Sequence, residues 1–347
     1  MKRWLFSLSG LVLVAAAVGW LWWINPPEAM ASRFGADQCQ RIQVFAAERP
    51  GTAVVGIEDI AVLDDRTLVL SAHDRFDPSQ PNGGLYRLGL DTVADGQARV
   101  TEFLPADLFD GELRPHGIAL SPDKQRIAVV NRLRNGKVAL EFIEAIGSDR
   151  ARRQRSVNDA FCRANDVVVL DDETAAVTLD RRACDPAPDD LLGLWPTGRI
   201  VLVSLATGAP IRSSEALAFP NGITQTWVAE TRAGRLTAWA GPQSVNGRLA
   251  DPIALPGGPD NLTRDDAGDL VVALHPSLLR LAPYRFGWID HAPSRIARVD
   301  PETREVEILF DDPTGTLFSA ATTGVLTGGR LIAGSMRDSG LLICEPA

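Results

Sequence analysis

Six short apolar runs in this chain begin with a polar pair, and most of the pairs carry side-chain oxygens. They read Glu58-Asp59 before Ile60, His116-Gly117 before Ile118, Asn165-Asp166 before Val167, Asn221-Gly222 before Ile223, Asp260-Asn261 before Leu262, and Thr323-Gly324 before Val325. Taken together, Glu58, Asn165, Asn221, Asp260 and Asn261 are an all-oxygen donor set, and no His pair stands at metal-ligand spacing. Such sets select hard cations, and Ca2+ accepts roughly 6–8 oxygens with relaxed geometry. Two carboxylates balance the ion's charge. Three amides add coordination without adding charge, which leaves room for water and a substrate oxygen. Asp59 and Asp166 follow Glu58 and Asn165 directly. Strand neighbours point to opposite sides, so these two, with the backbone carbonyl near Ile118, suit a second cation deeper inside.

The same group contains the means for acid–base work. His116 opens the second run, and His275 ends the strand-like Leu270–Leu274 stretch. Imidazole titrates near neutrality, so either can act as general base. The carboxylates Glu58 and Asp260 are alternative bases, and Asn165 or Asn221 can donate to a developing oxyanion. No G-x-S-x-G turn and no Ser-His-Asp set is present, which argues against a covalent serine mechanism. His73 and His291 lie in loop-like stretches, and Gly257-Gly258 reads as a turn. One Asx residue before a strand is ordinarily a turn former. The weight lies in recurrence at one place in a repeat. A calcium with a purely structural role is the alternative to catalysis.

Something must bring six distant pairs together. Most of the runs are followed by a turn and a second strand-like run: LDDRTLVLSA, SPDKQRIAVVN, LDDETAAVTLD, RDDAGDLVVAL and TGGRLIAGS. These are short, β-branched and bounded by Asp, Gly and Pro, as strands are. The motifs start roughly 40 to 65 residues apart, which suits a four-stranded blade with variable loops. The expected fold is therefore all-β, a six-bladed β-propeller with a central calcium site, occupying residues 38–347. In such a fold the innermost strands line a central channel, and a residue at the start of each sits at its mouth. Helices are expected to be few. Leu104–Phe109 reads as a short one. DDLLGLW (189–195) and LLRLAPYRFGW (278–288) read as apolar lids at a substrate entrance.

The N-terminus reads separately. Lys2 and Arg3 precede an uncharged stretch from Trp4 to Ile24. Its length reaches the roughly 20 residues that span a bilayer, and Trp20, Trp22 and Trp23 cluster at its far end. Residues 1–24 are thus expected to be one hydrophobic helix, a signal anchor or signal peptide, with residues 25–37 as a linker. The basic flank puts everything after Pro26 on the outer side. The chain is expected to be exported, facing the periplasm or the extracellular side. It is either membrane-anchored or, if Ala29-Met30-Ala31 is a cleavage site, secreted. The four cysteines, Cys39, Cys162, Cys184 and Cys344, are even in number and allow three pairings. Cys162 and Cys184 flank one hairpin-like unit. The favoured pairing is Cys39–Cys344 and Cys162–Cys184, which an oxidising compartment preserves. The formal charge of −9 disfavours nucleic acid or an anionic surface as partner.

With these residues laid out, the chain resembles the paraoxonases, calcium-dependent lactonases and arylesterases with a six-bladed propeller. GIEDI, PHGIALSPD, ANDVVVL, PNGIT, PDNLTRD, ALHP and LLICE occur in that family's order between Cys39 and Cys344. The resemblance implies that Glu58, Asn165, Asn221, Asp260 and Asn261 hold a catalytic calcium. It implies that Asp59, Asp166 and the Ile118 backbone belong to a structural one. It places His116 and His275 in the active site and makes Cys39–Cys344 the ring-closing disulfide. Two features depart from the family. Its second histidine of a proposed dyad falls on Arg132, which cannot relay a proton at neutral pH, and Cys162 and Cys184 are additional.

The sequence thus points to an exported hydrolase of lactones or aryl esters that uses two Ca2+ ions, with a small-molecule substrate and contact with a membrane through its N-terminal segment. The alternatives are a sugar-lactonase of the gluconolactonase kind, or a calcium-stabilised propeller that binds a ligand or protein without catalysis. Apolar lids would favour acyl chains, and polar ones sugars.

Overall fold

In a computed structural model of the chain, the residues described are Ala16, Gly19, Trp20, 26–49, 51–77, 82–146, 151–185, Gly193, 195–247 and 249–346. The first strand, β1 (Cys39–Ala46), is followed by β2 (Ile57–Asp64), β3 (Thr67–Ala72), β4 (Gly84–Gly89) and β5 (Gln97–Glu102). Next come β6 (Pro115–Leu120), β7 (Arg126–Arg132), β8 (Val138–Glu144) and β9 (Arg152–Val157). A third group is β10 (Ala164–Val169), β11 (Thr174–Leu179), β12 (Arg199–Ser204) and β13 (Pro210–Ser213). A fourth is β14 (Pro220–Ile223), β15 (Trp227–Glu230), β16 (Arg235–Ala238) and β17 (Ile253–Ala254). The fifth is β18 (Gly258–Arg264), β19 (Leu270–His275), helix α1 (Leu278–Arg285), β20 (Ser294–Val299) and β21 (Val306–Asp312). The chain ends in β22 (Ala321–Thr327), β23 (Arg330–Ser335) and β24 (Leu341–Cys344).

Hydrogen bonding corrects the expectation of a six-bladed propeller preceded by a helix. Among the described residues there are five sheets: four of four strands, and one of eight in the order β2-β3-β4-β5-β1-β24-β23-β22. The fold is propeller-like, with four separate blades and one continuous sheet. The cause is β1. Its first half, Cys39–Ile42, pairs antiparallel with β24, and its second half, Gln43–Ala46, pairs parallel with β5. One strand therefore bonds the first and last segments into a single sheet. The hydrophobic stretch 1–24 falls almost wholly outside the described residues, among which no helix is long and apolar enough to cross a membrane.

The motif-bearing strands β2, β6, β10, β14, β18 and β22 contact one another in ring order around a common axis. Burial falls from axis to rim. Every residue of β10 is buried, whereas every residue of β13 is exposed. The apolar runs are buried on both faces because they pack between neighbouring sheets, as centrally placed strands do. Both expected disulfides are present, Cys39–Cys344 and Cys162–Cys184. The first spans 305 residues of sequence, and the chain-entropy model assigns such a closure on the order of 5 kcal/mol. Residues Arg33 and Phe34 of the segment before β1 bond to the carbonyls of Ile308 and Leu309, and Phe34 is buried beside Cys39, Cys344 and Phe318. The helix expected near Leu104–Phe109 is one 3-10 turn over Ala106–Phe109.

Candidate functional site

The device that presents the six polar pairs is a β-bulge repeated in every inner strand. Between β10 and β11, Ala164 faces Leu179 and Val167 faces Val177, so Asn165 and Asp166 together oppose Thr178. The same one-residue excess falls at Glu58, at His116-Gly117, at Asn221-Gly222, at Asp260-Asn261 and at Thr322. A bulge breaks the strict alternation of a strand and re-aims side chains. That is how two successive polar residues come to face the axial region.

Hydroxyls on neighbouring strands hold the bulged backbone. Ser71 donates to the His116 carbonyl at 2.6 Å, Thr178 to that of Asn221 at 2.6 Å, and Thr322 to that of Glu58 at 3.0 Å. At Gly117 and Gly222 the next inner strand passes too close for a side chain. A Cβ at Gly117 would lie 2.5 Å from the Asp166 Cα, and one at Gly222 would lie 2.6 Å from the Asn261 Cα.

The bulges open into a cavity of about 300 Å3 lined by Glu58, His116, Asn165, Asn221, Asp260 and His275. Asn261 is buried just beneath, and its Nδ2 donates to the Glu58 carbonyl at 2.9 Å. Asn221 Nδ2 donates to Thr231 Oγ1 at 3.4 Å. Each amide nitrogen thus has one bond to the protein, and their Oδ1 atoms remain buried with no donor. Glu58 Oε2 also lacks a hydrogen bond, although Arg75 Nη2 stands 2.9 Å away as an unaligned ion pair. Buried oxygens without donors are costly. Two amide carbonyl oxygens and a carboxylate oxygen, with Asp260 lining the same cavity, suit a hard cation. The donor set therefore fits calcium. Clusters built only of His, Cys, Asp and Glu are absent among the described residues, so the amides are essential to any such site.

Two carboxylate–imidazole contacts flank this set. His275 Nε2 is 2.7 Å from Asp260 Oδ2. His116 Nδ1 is 3.3 Å from Glu58 Oε1 and 3.0 Å from Arg75 Nη2. Burial, followed by the charges of Arg132, Arg75 and Arg285, holds His116 well below the usual imidazole range. It is neutral at physiological pH. Arg132 is half-buried on the cavity wall, and its Nη2 donates to the Ala164 carbonyl at 3.4 Å.

Asp59 and Asp166 lie apart from this cavity, and each ties its own inner strand to the next. Asp59 accepts from Ile60 N at 2.9 Å, from Ile118 N at 2.8 Å and from Thr323 Oγ1 at 3.3 Å. Asp166 accepts from Val167 N at 2.8 Å and Ile223 N at 2.9 Å. The Ile118 backbone thus meets Asp59 through its N–H, where the sequence pointed to its carbonyl. Burial pushes both carboxyls above their ordinary range, and the charge of Asp59 adds to the rise at Asp166. Their oxygens already accept these hydrogen bonds, and a cation beside them would favour the ionised form that burial disfavours.

No protein-family model matches the sequence, and no curated protein matches it. Solved structures match it in fold. A Bacteroides thetaiotaomicron protein of unknown function superposes with TM-score 0.56 at 12% identity, over 88% of this chain and 74% of that one. A gluconolactonase from Xanthomonas campestris superposes with TM-score 0.50 at 17% identity, over 93% of this chain and 99% of that one. Identities this low speak to fold alone.

Sequence reasoning missed Arg75, Arg163, Asp180 and Arg285, all of which line the cavity. Arg75 and Arg285 have no repeat spacing to mark them, whereas Asp180 stands where His275 does in its own repeat, a signal the sequence reading did not use. One of the two expected lids stands at the cavity. In LLRLAPYRFGW, Leu281 and Arg285 face the cavity, whereas Phe286 and Trp288 stack on each other and are largely exposed. The other lid, 189–195, lies mostly outside the described residues, with Trp195 exposed.

Proposed function

We propose that this chain is a calcium-dependent hydrolase of carboxylic esters, with lactones and aryl esters as its substrates, as its resemblance to the paraoxonases suggests. The observation that carries the reading is the convergence on one cavity of donor-less buried oxygens with a carboxylate–imidazole pair. Glu58, Asn165, Asn221, Asp260 and Asn261 would hold the catalytic ion, and Asp59 and Asp166 a second, structural one. Calcium supplies a Lewis acid that polarises the ester carbonyl and offsets the negative charge developing on its oxygen.

The chain's own residues do the rest. Asn165, whose side chain lines the cavity, can donate its Nδ2 to the same developing oxyanion. The proton of the attacking water passes to the Asp260–His275 pair and is shared across the 2.7 Å Oδ2–Nε2 contact. His116 is a poorer acceptor, because burial and the charges of Arg132 and Arg75 hold it neutral. Arg132, at the position of the family's second histidine, stays charged and keeps His116 neutral.

A panel of aryl acetates and lactones, with and without chelator, tests the reading. Chelation is expected to lower hydrolysis by at least about 100-fold, to lower the melting temperature, and to be reversed by added Ca2+. Undiminished turnover in excess chelator would overturn it. A protein that binds calcium but hydrolyses nothing would support the non-catalytic alternative.

A second reading, hydrolysis of polar sugar lactones, gains from the charged lining around Arg132, Asp180 and Arg285. Export to an oxidising compartment, with residues 1–24 as anchor or cleaved near Ala31, belongs to the same proposal and fits the two disulfides.

A further inference from the structure

The protein is acidic as a whole, with a formal charge of −9, yet its cavity is the reverse. Five cationic side chains line it, Arg75, Arg132, Lys137, Arg163 and Arg285, against the carboxylates of Glu58, Asp180 and Asp260. Any calcium held by Glu58 and Asp260 would add to the positive excess. The arginines differ in what they already hold. Arg163 makes a two-point contact with Asp180, at 2.9 and 3.1 Å. Arg75 faces Glu58 and His116. Arg132 and Arg285 have no carboxylate within ion-pair distance among the described residues, and Arg132 reaches only the Ala164 carbonyl, at 3.4 Å.

Arg132 is half-buried and Arg285 is exposed at the end of α1, so two like charges without a carboxylate partner face one cavity and repel each other. Burial and the charge of Arg75 push the Arg132 guanidinium down to about 9. An uncharged ester gives no reason for such an arrangement. An oxyanion does, because planar guanidinium groups bind carboxylate and phosphate through paired, charge-assisted hydrogen bonds.

We infer that the substrate carries an oxyanion of its own, a carboxylate or a phosphate monoester, which Arg132 and Arg285 hold while the ester bond lies at the Asp260–His275 pair. The inference rests on the hydrolase reading for its chemistry. It narrows the substrate class from neutral lactones and aryl esters to lactones or esters that bear a negative group.

Matched pairs test it on the calcium-loaded protein. One pair is a γ-butyrolactone with a ring carboxylate and the methyl ester of that carboxylate. The other is a sugar δ-lactone with and without a terminal phosphate. The anionic member of at least one pair is expected to show kcat/KM higher by about tenfold or more, and which pair responds separates carboxylate from phosphate. In Arg285→Gln, at the exposed end of α1, that preference is expected to collapse mainly through KM. Arg132→Gln, checked for folding by melting temperature, is expected to do the same. Equal rates for both members, or a preference for the neutral one, would overturn the anion site and leave the hydrolase reading intact.

If no lactone or ester is hydrolysed, the hydrolase reading fails by itself. Calorimetric titration with succinate and with glycerol phosphate then decides the site. Binding that weakens about tenfold in Arg285→Gln supports it. Absent binding, or binding indifferent to that substitution, overturns it.

Discussion

Glu58 with His116 and Asp260 with His275 are two carboxylate–imidazole pairs lining one cavity. Each carboxylate comes from a bulge in an inner strand, and each imidazole is buried. The difference is a guanidinium. Arg75 Nη2 lies 2.9 Å from Glu58 Oε2 and 3.0 Å from His116 Nδ1, whereas His275 meets Asp260 at 2.7 Å with no arginine in that contact. A cation beside a base stabilises its unprotonated form, so proton uptake is disfavoured on the first side. Two pairs of the same composition are thus suited to different work. Glu58 is suited to holding charge, and Asp260 to exchanging a proton.

Asp260→Ala is expected to have the largest effect, a loss on the order of 1,000-fold in kcat/KM, because it removes a donor to the cation and the partner of His275 together. Glu58→Ala removes a donor but leaves the Asp260–His275 contact whole. Its activity should return in part at high Ca2+, whereas that of Asp260→Ala should not. Steady-state kinetics across a calcium titration separates the two, and equal recovery would erase the distinction between the pairs. The histidines come next. His275→Gln is expected to cost about 100-fold, and His116→Gln less than about tenfold. Rates at saturating Ca2+ decide this, and the reverse order would move the proton acceptor to the Glu58 side.

Much of this arrangement was legible in the sequence because it repeats. The six polar pairs, their second strands and both disulfides follow from spacing, and the cavity brings together Glu58, His116, Asn165, Asn221, Asp260 and His275. What was not legible depends on pairing between distant segments. The bulges are invisible without register, so strand alternation alone could not show that Asp59 would accept from the Ile118 N–H. Nothing local in Gln43–Ala46 shows that it will bond to β5, and that bond is what turns six expected blades into five sheets. Arg75 and Arg285 sit in stretches with no repeat at all, so the charge of the cavity emerged only with the fold.

The smallest expected effect bears most directly on the cause of the asymmetry. If Arg75 is what makes the Glu58 side a poor proton acceptor, removing it should make His116 matter more. In an Arg75→Met background, His116→Gln is expected to cost a few-fold more than it does in the parent, a coupling of about 0.5–1 kcal/mol. The imidazole would still not equal His275, because burial and the charge of Arg132 continue to hold it neutral. A double-mutant cycle on kcat/KM at saturating Ca2+ measures the coupling, and melting temperatures of the four proteins control for folding. A coupling of zero would mean that Arg75 is a bystander. The difference between the pairs would then have to come from how each imidazole is seated, His275 at the end of β19 and His116 within the bulge of β6.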